Sequence, residues 1–333
     1  MSMSQQADTI RGEFADRTEP FRRELLAHCY RMLGSVDDAE DLVQETYLRA
    51  WRSYGSFEGR SSLRTWLYQI ATNACLTARE HRARRALPSG LGGPGEDRDA
   101  DLAGSGPAWL QPMPDALVTR EADDPAVIAA TRDSLRLALI ASFQYLPPRQ
   151  RAILLLREVL AFPAGDVAEM LGTTTVAVKS ALQRARTRLS DVAPADHQVA
   201  EPPEPAARAL LEAYIAAFES ADAAALERLL RRDATLEMPP SSLWYSGGEA
   251  IATAVAGLGS PGEWRMVPTA ANGQPAAAAY RRSVDGTHRR EADGAYRAYG
   301  VVVLTASATG IARIVVFGDP GLFGRFGLPP TWR

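Results

Sequence analysis

Apolar residues recur at helical spacing through residues 11–86, where three stripes are legible. Phe21, Leu25, Leu26, Cys29, Leu33 and Val36 mark the first, which ends near Gly34-Ser35. Ala39, Leu42, Val43, Tyr47, Ala50 and Trp51 mark the second. Leu63, Trp66, Leu67, Ile70, Ala71 and Ala74 mark the third, beyond the loop Gly55-Ser56-Phe57-Glu58-Gly59-Arg60. Short loops between such helices predict a compact antiparallel bundle. Helical patterning resumes over 125–192. Beyond 205 the pattern predicts helices at Ala207–Ser220 and Ala223–Leu230. Short strands follow at Thr235–Met238, Met266–Ala271, Ala276–Arg282, Ala298–Thr305 and Ile311–Phe317. Helices followed by a run of strands predict an α+β domain with a curved sheet wrapped on helices.

Two breaks separate these segments. From Leu87 to about Asp124 the chain is rich in Gly, Pro and Asp, and no periodic element can run through it. Its acids, Glu96, Asp97, Asp99, Asp101, Asp115, Glu121, Asp123 and Asp124, face only Arg98 and Arg120. Trp109 and Leu110 are unexpected in a plain solvated tether. A shorter Pro-rich break covers 193–205. The expected domains are therefore 11–86, 125–192 and 206–333, joined by linkers at 87–124 and 193–205.

Residues 146–189 carry the sharpest local signal. Asp166–Leu171 reads as a short helix, with small Ala168 where a second helix must approach. Gly172 supplies the turn and Thr173, Thr174 or Thr175 caps the next helix. That helix turns Val178, Leu182, Ala185 and Leu189 inward, and Thr175, Lys179, Ser180, Gln183, Arg184 and Arg186 largely outward. Side chains of these kinds bond to base edges and phosphates when a helix enters a major groove. An ordinary helical hairpin with a solvated basic face would show the same periodicity.

Composition narrows the classes. The chain has 333 residues, 46% of them hydrophobic and 23% charged, as ordinary globular protein does. Its net charge of −3 makes any DNA-binding surface a local one. The apolar runs Ala152–Leu156 and Gly300–Leu304 are too short to span a bilayer, and the polar N-terminal stretch lacks a signal-peptide pattern. Cys29 and Cys75 stand in no metal-binding spacing, so neither a zinc site nor a disulfide framework is expected, and a reducing cytoplasm is.

Two further clusters carry chemistry. In the second helix, Asp38, Asp41 and Glu45 fall at i, i+3 and i+7, on one face beside Gln44. Acids there suit the positive end of a helix dipole, and equally a basic docking partner. The third helix and its flanks hold Arg60, Arg64, Thr65, Trp66, Tyr68, Gln69, Thr72, Asn73 and the Arg79–Arg85 cluster. Aromatic rings among cations are what single-stranded DNA requires. In the last domain His288, Asp233, Glu237, Asp285 and Asp293 are the candidate acids and bases, but spacing gives none of them a partner. No enzyme activity is expected of them.

Together, DDAEDLVQETYLRAW, FEGRSSLRTWLYQIATNACL and the 146–189 segment resemble the extracytoplasmic-function, or group IV, sigma factors of bacterial RNA polymerase. The likeness covers roughly residues 15–192, with regions 2 and 4 in order. It implies that Asp38, Asp41, Gln44 and Glu45 meet the clamp helices of the polymerase's largest subunit. It implies that Phe57, Arg60, Arg64, Trp66 and Asn73 read and help melt the −10 element. Thr175, Lys179, Ser180, Gln183 and Arg184 are implied to read the −35 element, with Ala181 departing from the family's frequent Arg. The acidic linker is implied to thread the polymerase's nucleic-acid channels, its carboxylates mimicking RNA phosphates.

The C-terminal part resembles SnoaL-like domains of the NTF2-like superfold. Only Asp285-Gly286-Thr287-His288 stands where some relatives carry a glycine-rich segment. The implied fold is multidomain: two all-α sigma domains followed by an α+β NTF2-like cone, with the tail Asp319–Arg333 folding against the sigma part. Core RNA polymerase (its largest and second-largest subunits) and promoter DNA are the implied partners, with a small-molecule ligand in the C-terminal pocket. No cofactor, metal or membrane is implied. Two alternatives remain: a helix-turn-helix regulator independent of core polymerase, and a bifunctional protein whose C-terminal domain turns over a small molecule.

Overall fold

The computed structural model describes residues 12–80, 84–95, 108–120, 122–192, 202–282 and 295–332. The chain forms two compact units. One comprises Met1–Arg85, Leu117–Leu135 and Leu139–Ala193; the other comprises Ala86–Ala116, Arg136–Ala138 and Pro194–Arg333.

The first unit is helical. After α1 (residues 12–18), α2 (Arg22–Leu33) buries Leu25, Cys29, Tyr30, Met32 and Leu33. It stops at Gly34, whose φ of 70° suits a residue without Cβ, and whose N–H closes onto the Tyr30 carbonyl at 2.7 Å. Ser35 then caps α3 (Val36–Ser53), its Oγ accepting from Asp38 N at 3.2 Å. In α4 (Leu63–Glu80) Leu67, Tyr68, Ala71, Ala74 and Cys75 are buried, and Trp66 is half-buried. The three stripes read from the sequence thus meet in one core.

The second helical module follows as α5 (Pro125–Leu135), α6 (Leu137–Phe143), α7 (Pro148–Leu154), a π turn at Leu155–Val159, α8 (Ala164–Met170) and α9 (Thr175–Val192). Gly172, at φ 58°, makes the turn between α8 and α9. Val178, Ala181 and Ala185 are the buried residues of α9, while Leu182 and Leu189 are half-buried. The two modules share a buried cation. Arg151, fully buried on α7, donates to Gln144 Oε1 at 2.8 Å, to the Leu146 carbonyl at 3.2 Å and to the Met32 carbonyl at the end of α2.

The second unit packs α10 (Glu204–Glu219), α11 (Ala223–Leu229) and α12 (Gly248–Ala256) with a sheet. Its strands are β1 (Leu230–Glu237), β2 (Trp244–Ser246), β3 (Trp264–Ala271), β4 (Gln274–Arg282), β5 (Tyr296–Ser307), β6 (Gly310–Phe317) and β7 (Thr331–Trp332). The order is β2-β1-β6-β5-β4-β3, with β7 pairing β5; β1 and β6 run parallel and the remaining pairs antiparallel. Tyr214, Leu226, Leu236, Ile251, Trp264, Met266 and Ile314 form its main core. The β3–β4 hairpin turns through Asn272-Gly273, both at positive φ (57° and 68°), as a two-residue turn between twisted strands requires.

The aromatic tail, expected against the sigma part, instead joins this sheet. Phe323 meets Tyr280 edge-on with centroids 4.9 Å apart, and Tyr280 Oη donates to the Pro329 carbonyl. Burying two rings beside an already paired strand accounts for that choice.

Candidate nucleic-acid interface

Helix α9 presents its polar residues as the pattern requires. Thr174 is the cap: its Oγ1 accepts from Ala177 N at 3.2 Å, satisfying a first-turn donor. Thr175, Lys179, Ser180, Gln183 and Arg184 are exposed, while Val178 and Ala185 on the opposite side are fully buried. Ala181, where the resemblance implies a frequent Arg, lies on the buried side. Arg186 reaches back to Glu158, Nε to Oε1 at 2.6 Å. Arg149 donates to the Leu171 carbonyl at 2.7 Å and fixes the turn before α9. Val176 stands 71% exposed among these polar groups, an apolar side chain that periodicity alone did not single out.

The residues expected to read single-stranded DNA divide into two groups. Phe57 and Trp66 stack at 4.8 Å with a 32° tilt, and Arg60 pairs with Glu58 in solvent. Arg64 and Asn73 are engaged elsewhere. The Arg64 guanidinium lies 4.9 Å from the Tyr68 ring centroid and 4.8 Å from that of Phe162, and its Nη2 pairs with Glu24 at 2.9 Å. The Asn73 amide donates to the Met170 carbonyl at the end of α8, at 3.4 Å. In the Arg79–Arg85 cluster, Arg85 is bound to Asp38 at 2.8 Å and Arg84 covers the Tyr145 ring at 4.3 Å; residues 81–83 lie outside the described residues.

Behind Arg64 lies His28, fully buried, with Nε2 2.9 Å from Thr72 Oγ1. Burial first, then Arg31 and Arg64, push its pKa down to about 3, so the ring is neutral at physiological pH.

The acidic face of α3 is also divided. Asp38 is held by Arg85, its side chain only 14% exposed, whereas Asp41 and Gln44 are exposed and Glu45 pairs with Arg49 at 2.7 Å. Leu48, 51% exposed, shares this face and borders an open groove of about 470 Å³ lined also by Phe14, Arg22, Gln44 and Trp51. Sequence patterning assigned neither Leu48 nor the groove.

In the second unit, the described parts of the Gly/Pro-rich stretch are pinned to the sheet. Met113 N donates to Asn272 Oδ1 at 2.9 Å, and Asn272 N returns a bond to the Met113 carbonyl at 2.8 Å. Gly273 N donates to Asp115 Oδ1 at 2.8 Å, so this carboxylate is buried and committed. Trp244 Nε1 donates to the Gly92 carbonyl at 3.0 Å. Leu110 and Met113 are buried, which explains the apolar residues in a supposed spacer.

An apolar cavity of about 20 Å³ lies in this unit's core, lined by Tyr214, Phe218, Met238, Trp264, Tyr299 and neighbours, with no Asp, Glu or His in its wall. Glu237 is buried against Arg313 at 3.3 Å and accepts from Ser89 N at 2.9 Å. Asp233 is chelated by Arg231 at 2.6 and 2.8 Å. His288, Asp285 and Asp293 lie outside the described residues. Among the described residues no cluster of three His, Cys, Asp or Glu could hold a metal, and no helix is long and apolar enough to cross a membrane.

Comparison with known proteins gives three family matches: Sigma-70 region 2 over residues 18–85, Sigma-70 region 4 over 136–189 and a SnoaL-like domain over 211–314. The chain is 49% identical over 330 residues to the ECF RNA polymerase sigma factor SigG of Mycobacterium tuberculosis, covering 98% of this chain and 86% of that protein. It is 28% identical over 178 residues to SigW of Bacillus subtilis, covering 53% of this chain and 86% of that protein. The crystal structure of M. tuberculosis SigJ superposes with a TM-score of 0.61 at 22% identity, over 95% of this chain and all of that one, a likeness of fold.

Proposed function

We propose, since this chain belongs to the extracytoplasmic-function RNA polymerase sigma factors, that its two helical modules divide promoter reading between them. Helix α9 takes the −35 element in the major groove through Thr175, Lys179, Ser180, Gln183 and Arg184. Phosphate contacts from the basic side chains give salt-dependent affinity, and base contacts of about 1–3 kcal/mol each give discrimination. Phe57, Trp66, Arg60, Arg64 and Asn73 take the −10 element as it opens, the aromatic pair offering a stacking surface.

Asp41, Gln44, Glu45 and the exposed Leu48 form the docking face for core polymerase, with Asp38 orienting Arg85 beside it. The polymerase supplies the chemistry, so no catalytic residue is assigned. Arg64 and Asn73 contact Phe162 and Met170, so on this reading promoter opening separates α4 from α8. The C-terminal domain is a modulatory module, and its core cavity of about 20 Å³ holds nothing larger than a water-sized molecule as it stands.

The observation that carries the proposal is the continuous likeness through both sigma regions to a named sigma factor. Run-off transcription on a promoter library, with core polymerase alone and with the added chain, tests it. New start sites that need both proteins are expected. Specific duplex binding without core polymerase would instead favour an independent regulator. Turnover of a small molecule abolished by His288→Ala would favour the bifunctional alternative.

A further inference from the structure

We infer that Val176 is a specificity-determining residue, its methyl groups packing against the 5-methyl of a thymine in the upstream promoter element. This rests on the assignment of α9 to that element.

Val176 is 71% exposed, the most exposed large apolar side chain among the described residues. Its place on the helix is the second point. At about 100° per residue, Val176, Ser180 and Gln183 fall within a ~60° arc on the side opposite the fully buried Val178 and Ala185. Valine therefore sits at the centre of the polar face, where burial on folding cannot account for an apolar residue. The cap at Thr174 puts it in the first turn of α9, the part of a recognition helix that reaches base edges.

The third point is chemical. The thymine methyl is the one apolar group displayed by bases in the major groove. A β-branched side chain on a helix is nearly fixed at χ1, so its methyls are positioned before contact. Lys179 and Arg184, exposed on the next turns, supply cations for phosphates or guanine.

The test uses the full chain with core polymerase on promoters selected from a library randomised upstream. Each thymine of the selected upstream element is replaced singly by deoxyuridine, which removes only the methyl. Open-complex formation is compared for the wild-type chain, Val176→Ala and Val176→Ser. At one thymine, deoxyuridine is expected to weaken the wild-type about fourfold, the fold-change matching ~0.8 kcal/mol per buried methyl. Both variants should lose a similar factor on the thymine promoter and then be indifferent to deoxyuridine at that position, while keeping the wild-type response elsewhere. An unaltered deoxyuridine response in the variants, or an equal loss on every promoter, overturns the thymine contact and leaves the assignment of α9 standing. Initiation indifferent to the whole upstream element overturns both.

Discussion

Helix α4 with the loop before it, and helix α9, carry the two expected DNA-reading sets, and they hold them in different states. On α9 the reading side chains stand in solvent, backed by a buried stripe and a capped first turn. On α4, Arg64 and Asn73 are spent on Phe162, Glu24 and Met170, and a neutral buried histidine lies behind them. Major-groove reading needs only a preformed helix. Melting needs side chains delivered where strands have separated, and here part of that set is held by the neighbouring module. On the proposed division of promoter reading, the difference would give α9 a role available at first encounter and α4 one that requires rearrangement.

The largest expected effect comes from breaking what joins the two modules. Arg151→Met leaves the carbonyls of Met32 and Leu146 and the amide of Gln144 without a donor. A loss of about 3 kcal/mol or more in urea unfolding is expected. An unchanged unfolding midpoint would show that the buried cation does not hold α7 to α2.

Acid comes next, acting through His28, which sits on α2 against Thr72 of α4. His28 has its pKa near 3 when folded against an ordinary 6.5, so the unfolded chain binds the proton first as pH falls. Stability from this group is complete above pH 6.5 and drains toward pH 3, by up to ~1.4 kcal/mol per pH unit. Urea midpoints from pH 7 to 5 should fall more steeply in the wild-type than in His28→Gln; parallel profiles would contradict the burial argument.

Arg184→Ala sharpens the other side. Stability should stay within about 0.5 kcal/mol, since the side chain is exposed, while binding to the upstream element weakens by about 1–3 kcal/mol. Asn73→Ala is the smallest. Loss of one long hydrogen bond at the module contact should cost the free protein under about 1 kcal/mol, yet strand opening should slow with upstream binding unchanged. Equal damage to both steps would merge the two helices into a single role.

What was legible in the sequence was local. The three stripes, the Gly172 turn, the threonine cap and the buried side of α9 all follow from spacing within a few residues. What was not legible depends on partners far along the chain. Asp38 is neutralised by Arg85, Arg186 by Glu158, and Arg64 is covered by Phe162. The three-residue strand β2 shows no period, and α12 opens at Gly248 with Gly247 before it, where the pattern predicts no helix. Asn272-Gly273 is a hairpin signal in its own right, but its grip on Met113 and Asp115 spans some 160 residues. Leu48 and Val176 were missed for the opposite reason: periodicity treats an apolar residue as core, and these two are exposed.

Permanganate reactivity of thymines around a selected start site, with core polymerase and the full chain added singly and together, addresses the central claim most directly. Reactive thymines in the −10 region are expected only when both are present, and they should disappear when the upstream element is scrambled. Upstream protection by the chain alone, with no thymine becoming reactive under any combination, would contradict it.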